Sequence, residues 1–361
     1  MTHVFVSPHP DDIALSCGGL VASLRELGQS VTILTVFSGA GSAAGNGSGE
    51  LTSYQRAALG FGSKVHWPLT EAFRRDNIAP DYVIPAAVGA GTAPWQAAPE
   101  RIDITQERAN TQARQFWQRA AWTRSANITN DESDERPVAD SIGGQGSLAP
   151  IDYDALDVME RRKVEEERFA YFSEAAVIFL DLPDAVYRGY EGDEQLLGSV
   201  RDDDPAPYDL LRSEILRLEP QMVYFPLGVG GHVDHQLCRE VGLSLLAEKR
   251  AWVMPAPGFV GRTSFYEDFP YSWWTDYDGP NRPNGPVLDL PAGVSVEPRY
   301  ADISDVIDRK AAGIQIYASQ LDRLFESPQA LLDDLYGFHS RTALAGGVNG
   351  LAERYWATVT P

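Results

Sequence analysis

The chain has 361 residues, 43% hydrophobic and 22% charged, a globular composition with enough apolar content for a large core, which excludes a disordered chain. Its formal net charge of -21 speaks against nucleic acid or an anionic membrane as partner, since both recruit basic patches. No apolar run reaches the ~20 residues of a membrane span, and Met1-Thr2-His3 opens the chain with neither a basic region nor an apolar signal segment, so a cytoplasmic protein is expected.

In chain order, residues 3–7 (HVFVS) read as a short buried strand and 13–28 as a helix ended by Gly28. Residues 30–37 (SVTILTVF) are a continuous β-branched run, hence a second buried strand. Strand, helix and strand in so short a span form a βαβ unit, which builds parallel sheets. The small, flexible stretch Ser38–Gly49 then breaks the pattern. We read 40–155 as one long insertion inside a single domain, with a helical piece at Gln106–Trp122 and a polar, mobile part at 127–147. Its loops are placed to cover the mouth of a site.

Alternation resumes with a charged helix from Val158, a strand at Ala175–Leu182, a helix at 208–220 stopped by Pro220, and a strand at Gln221–Gly228. A helix at Asp234–Arg250 and a strand with its exit at Arg262–Tyr271 follow. Residues 271–293 read as a loop rich in Pro and Trp. One last helix over 304–325 places Ile307, Ala311, Ile314, Tyr317, Leu321 and Leu324 on one face. The expected architecture is an open, mostly parallel α/β sheet, Rossmann-like, with helices on both faces. In such sheets the ligand site lies at the carboxyl ends of the strands.

Two motifs fall on that rim. "PHPDD" (Pro8–Asp12) follows the first strand and "GGHVDHQ" (Gly230–Gln236) follows the fourth. His9 with Asp12, and His232 with His235, are spaced i, i+3, which lets side chains converge where a chain turns into a helix. Two imidazoles, a carboxylate and an open fourth position make the ligand set of a catalytic Zn2+ site. A divalent cation also accounts for adjacent carboxylates at a strand end. Taken singly, each motif is equally well a capped helix start. Cys17 and Cys238 are far apart in sequence, fit no CxxC pattern, and read as buried thiols. His3 and His66 read as structural, and His339 is left open. The downstream motif lacks the first His of HxHxDH, having Gly230 there, which argues against a dinuclear site. No GxGxxG follows the first strand, which argues against a dinucleotide enzyme.

Taken together, "PHPDD" and "GGHVDHQ" resemble the PIG-L/LmbE family of zinc-dependent N-deacetylases, with secondary matches at "RRKVEEERF", "FLDLPD", "FYEDFPY", "VIDRKAAGIQIYASQ" and "AERYW". The resemblance implies an LmbE-like fold and hydrolysis of an N-acetyl group on an amino-sugar derivative or glycoconjugate. Carried over by position, it implies His9, Asp12 and His235 as ligands of one Zn2+ (Fe2+ or Co2+ fit the same donors). It implies Asp11 as general base and protonated His232 at the oxyanion. Arg162, or else Arg161, would hold Asp11 or substrate, and Asp184 would lie near sugar hydroxyls. Ile13 stands where the family often has Glu. Two other outcomes fit the same residues: an amidase for another amide, such as a thiol-sugar conjugate, or a sugar-binding protein without catalysis. Trp273, Trp274 and Tyr277, with Trp95, Trp117 and Trp122 in the insertion, could stack on a sugar; packing is the simpler reading of such aromatics.

Overall fold

A computed structural model describes residues 1–40, 157–204, 206–251, 262–280 and 286–359. The insertion expected over 40–155, with Trp95, Trp117, Trp122 and His66, lies outside them from residue 41 onward.

Among the described residues, seven strands form one sheet in the order β3-β2-β1-β4-β5-β7-β6. Strands β1 (Thr2–Ser7), β2 (Ser30–Thr35), β3 (Ala176–Phe179), β4 (Met222–Pro226) and β5 (Arg262–Tyr266) run parallel. Strands β6 (Ser295–Asp302) and β7 (Ala352–Val359) complete one edge antiparallel. The α/β reading holds, and the antiparallel edge is an addition to it. β1 pairs with β2 on one side and β4 on the other, so the order of strands reverses at β1. In an open α/β sheet that reversal opens a crevice at the carboxyl ends of the two strands.

Successive strand residues face opposite sides. Phe5, Ile33, Tyr224 and Tyr266 pack on one face under α1 (Asp12–Glu26), α5 (Ile307–Ile314) and α7 (Pro328–Gly346). Val4, Val6, Leu34, Val223 and Phe225 pack on the other, under α3 (Tyr208–Leu218) and α4 (Val233–Ala251). Cys17 and Cys238 are buried free thiols, as expected. No helix among the described residues is long and apolar enough to cross a membrane.

The helix expected over 304–325 is two helices, α5 and α6 (Ala318–Leu324). Between them the Ile316 and Tyr317 N–H groups bond three residues back instead of four. Two glutamates of α2 (Val158–Phe172) hold the break: Glu165 accepts the Ser319 N–H at 2.9 Å and Glu166 accepts the Tyr317 hydroxyl at 2.6 Å. Apolar periodicity continues through the break, which is why the sequence reads as one helix.

Gly18 and Gly19 lie inside α1, where glycine costs about 1 kcal/mol relative to Ala. Close approach explains them. A Cβ on Gly19 would lie 2.6 Å from Ile303 Cγ2 and 2.9 Å from Glu353 Oε1, and one on Gly18 would lie 3.1 Å from Lys310 Cγ. Glu353 accepts the Gly19 and Leu20 N–H groups at 2.9 and 2.6 Å, and its Oε1 lies 2.6 Å from Lys310 Nζ. This buried ion pair ties β7 and α5 to the helix that begins at Asp12.

Candidate metal centre

β1 ends at Ser7, whose hydroxyl donates to the His9 carbonyl at 2.6 Å. Asp11 is the N-cap of α1, yet its side chain caps nothing, and its φ is 112°. L-residues rarely adopt that conformation, and holding one there costs about 1–3 kcal/mol. Asp12 Oδ2 accepts the His9 N–H at 2.8 Å. The same oxygen lies 3.4 Å from His9 Nδ1 and 3.4 Å from His235 Nε2. The two motifs, more than two hundred residues apart, therefore meet at one carboxylate oxygen.

The other nitrogen of each ring is held by a further carboxylate. His9 Nε2 lies 2.8 Å from Asp234 Oδ2, and His235 Nδ1 lies 2.6 Å from Asp268 Oδ1. Asp234 is fixed in turn by the Ala185 N–H at 3.1 Å and by Arg188, and Asp268 by the Val229 N–H at 2.9 Å. Histidines that ligate metals are oriented in this way, with the second nitrogen donating to a carboxylate. Burial opposes charge on His9, but Asp12 and Asp234 push it up to about 9; Asp12 and Asp268 likewise raise His235 well above the usual imidazole range. Against its own burial, Asp12 is held far below the carboxylate range by His235 and His9. Positive charge at the two facing ring nitrogens is what this carboxylate requires, and a divalent cation would supply it in place of the protons. The donor set fits a metal. Asp268→Ala is expected to weaken metal affinity by about 10–100-fold through loss of His235 orientation, measured by competition with a chelator.

The His232 ring brings a further donor. Ring nitrogens of His9, His232 and His235 lie within 4.8 Å of one another, so His232 competes with Asp12 as third ligand on distance alone. His232 Nδ1 accepts the Asp234 N–H at 3.3 Å, leaving Nε2 to carry the ring proton. Burial and nearby His9 hold the ring well below its ordinary range. Both effects oppose the protonated form that the resemblance implies for His232.

Asp11 is buried beside Asp12, and these two effects push its carboxyl up to about 8, close to neutrality, where a group exchanges protons readily. Arg162, not Arg161, lines this pocket; it donates to the Pro10 carbonyl at 3.3 Å and to Asp184 Oδ2 at 3.4 Å, and its Nη2 lies 3.9 Å from Asp11 Oδ1. Asp184 caps the helical turn Ala185–Arg188 through the Val186 N–H at 3.1 Å, and its Oδ2 lies 3.7 Å from His9 Nε2. All seven residues expected at the site line one pocket: His9, Asp11, Asp12, Arg162, Asp184, His232 and His235. Tyr271, Gln320 and Arg323 form part of its wall; the first two end the matched segments "FYEDFPY" and "VIDRKAAGIQIYASQ", though the sequence alone gives none of the three a role. Trp273, Trp274 and Tyr277 do not line it. The two indoles donate to Asp334 at 2.9 and 3.1 Å, and Tyr277 is buried in the core. His3 meets the Tyr224 hydroxyl at 3.3 Å, and His339 lies buried against the Ala352 carbonyl at 3.0 Å, away from the pocket.

The sequence reading assigned no role to Asp234, Asp268 or Glu166. Asp234 stands between the two histidines of "HVDH" and Asp268 within "FYEDFPY", but their partners are 225 and 33 residues away. Only the fold brings them together.

Comparison with known proteins agrees with the geometry. The family model described as GlcNAc-PI de-N-acetylase (PIG-L) matches residues 4–60. The 2'-N-acetylparomamine deacetylase of Streptomyces fradiae is 32% identical over 168 residues, 46% of this chain. That match spans about half of the relative's own length, 55%. A deacetylase triple mutant of the teicoplanin biosynthetic pathway shares the fold at a TM-score of 0.53 and 21% identity, over 100% of this chain and 99% of its own. The zinc-inhibited form of the teicoplanin deacetylase has a TM-score of 0.53 at 18% identity, over 100% of this chain and 99% of its own. The A40926 pseudoaglycone deacetylase has 0.51 at 19%, over 99% and 97%.

Proposed function

We propose, for a chain that belongs to the PIG-L/LmbE deacetylase family, that this pocket hydrolyses the N-acetyl amide of an amino-sugar derivative or glycoconjugate. The observation that carries the reading is the convergence of His9 Nδ1 and His235 Nε2 on Asp12 Oδ2, with Asp11 adjacent. His9, Asp12 and His235 would hold one divalent cation, Zn2+ first among those the donors suit. When bound, such an ion supplies Lewis acidity for the amide carbonyl and lowers the pKa of a water toward neutrality.

The chain's own residues do the rest. Asp11 accepts the proton of the attacking water and later returns a proton to the leaving amine. Asp234 and Asp268 keep the two ligand rings turned inward. His232, whose Nδ1 is engaged by a backbone N–H, keeps Nε2–H as a neutral donor for the carbonyl oxygen as negative charge develops there. Arg162 braces the Pro10 carbonyl and Asp184 beneath Asp11. A substrate of this class is in keeping with what the relatives are named for: deacetylation of 2'-N-acetylparomamine in one and a deacetylase of the teicoplanin biosynthetic pathway in another.

The test is metal content by elemental analysis beside amine release from N-acetylglucosamine derivatives and 2'-N-acetylparomamine. Because the teicoplanin deacetylase is known in a zinc-inhibited form, Zn2+ is added stoichiometrically, with Co2+ and Fe2+ in parallel. About one metal per chain and metal-dependent amine release are expected. His232→Ala should keep the metal and Asp12→Ala should lose it. Protein that takes up no metal and releases no amine overturns the reading; metal uptake without turnover on any of these compounds points to the non-catalytic sugar-binding alternative.

A further inference from the structure

Asp11 presents a problem that the metal centre does not explain. It is an N-cap residue whose side chain makes no capping bond, held at φ 112°, ψ -30°. N-cap aspartates ordinarily fold the carboxylate back onto the first helical N–H groups. This one does not, and its own N–H is turned into the protein interior, where a lone donor is costly. Its acceptor is Glu166 Oε2, at 3.2 Å. Glu166 is completely buried, and three donors surround its carboxylate: the Asp11 N–H, the Tyr317 hydroxyl at 2.6 Å on the same oxygen, and the Thr35 hydroxyl at 3.2 Å on Oε1. These donors come from the turn after β1, from the break between α5 and α6, and from the end of β2. α6 in turn contributes Gln320, Arg323 and Leu324 to the pocket wall.

We infer that Glu166 is a positioning residue for the proposed hydrolysis: by accepting the Asp11 N–H it fixes Asp11 in its positive-φ conformation, which keeps the carboxylate off the helix end and aimed into the pocket. The inference rests on the deacetylase reading for its catalytic consequence and on the hydrogen bonds alone for its structural one. Tyr317 and Thr35 hold the Glu166 carboxylate at the angle the clamp requires, so the wall helix α6 and the proton-transferring carboxylate share one anchor.

Three variants test it: Glu166→Gln, Glu166→Leu and Tyr317→Phe. A glutamine can place its carbonyl oxygen under the Asp11 N–H and turn its amide nitrogen toward the Thr35 hydroxyl; a leucine offers no acceptor. The readouts are the Asp11 φ in crystal structures, hydrogen exchange of the Asp11 amide, metal content, and kcat and KM for whichever N-acetyl sugar the wild type turns over. Glu166→Leu is expected to move Asp11 out of positive φ, speed exchange of its amide, keep the metal, leave KM near wild type, and lower kcat by about 10²-fold, the usual scale for a small misplacement of a reacting group. Glu166→Gln is expected to restore φ and to recover kcat to within about tenfold, since an acceptor remains in place. Should Glu166→Leu fail to fold, Tyr317→Phe carries the test, with faster exchange of the Asp11 amide expected and unchanged exchange overturning the clamp. Glu166→Leu with φ still near 112° and wild-type kcat overturns the inference. So does Glu166→Gln as impaired as Glu166→Leu, because charge rather than hydrogen-bond acceptance would then be at work. A wild type inert on every N-acetyl sugar, with φ and exchange responding as expected, overturns the deacetylase reading and leaves the clamp standing.

Discussion

Asp11→Asn is expected to retain about one metal per chain and to lose about 10²–10⁴-fold in kcat for amine release, the range for removing a general base. The two aspartates of "HPDD" are adjacent in sequence but differently engaged. Asp12 lies between two imidazole nitrogens at 3.4 Å each. The Asp11 carboxylate faces Arg162, with 3.9 Å between charged atoms, and the Asp11 backbone N–H is on Glu166. Asparagine keeps the size and the backbone bond but removes the charge and, with it, the ability to take a proton. The prediction is therefore a loss of rate without a loss of metal or fold, read by elemental analysis and kcat on one preparation. Asp12→Asn should do the reverse and weaken metal binding first. An Asp11→Asn enzyme working at full rate would sink the division of labour between the two carboxylates.

Glu353→Leu is expected to destabilise the protein by about 3–5 kcal/mol, the cost of breaking a buried ion pair by removing one partner. Lys310 is 1% exposed and Glu353 3%, so the ammonium left behind cannot reach water without opening the core. The substitution also removes the acceptor that Glu353 offers to the Gly19 and Leu20 N–H groups. The double variant Lys310→Met with Glu353→Leu should recover part of the loss, because no unpaired charge is then buried. Denaturant unfolding of the single and double variants measures both numbers. Equal stability of Glu353→Leu and wild type would show that the pair contributes nothing net.

What was legible in the sequence follows a physical divide. Short motifs after β-branched runs place His9, Asp12, His232 and His235 on one rim, since a parallel sheet aligns its strand ends. Their backing groups are illegible, because Asp234 and Asp268 gain meaning only from rings brought close by the sheet. "RRKVEEERF" reads as a charged helix with one arginine turned to the site, yet Glu165 and Glu166 are buried along with Arg162. Each of them has a partner outside its own helix, which no periodicity records. The paired glycines of α1 likewise look like a weak spot until Ile303, Lys310 and Glu353 are seen against them. The break at Gln315–Tyr317 is invisible for a related reason: the glutamates that hold it lie some 150 residues earlier. β7 carries a buried charge, Glu353, in its second position, which interrupts the apolar signal of a strand.

The ion pair between α5 and β7 also bears on the order in which the chain is made. β1 is made more than two hundred residues before its neighbour β4. His235 meets Asp268 later still, and the helix carrying Asp12 receives its Glu353 contacts only when the last described strand is complete. Until those segments exist, His9, Asp11 and Asp12 lack the groups that orient them. A centre assembled from contacts this distant in sequence takes shape only once its last contributing segment has been made.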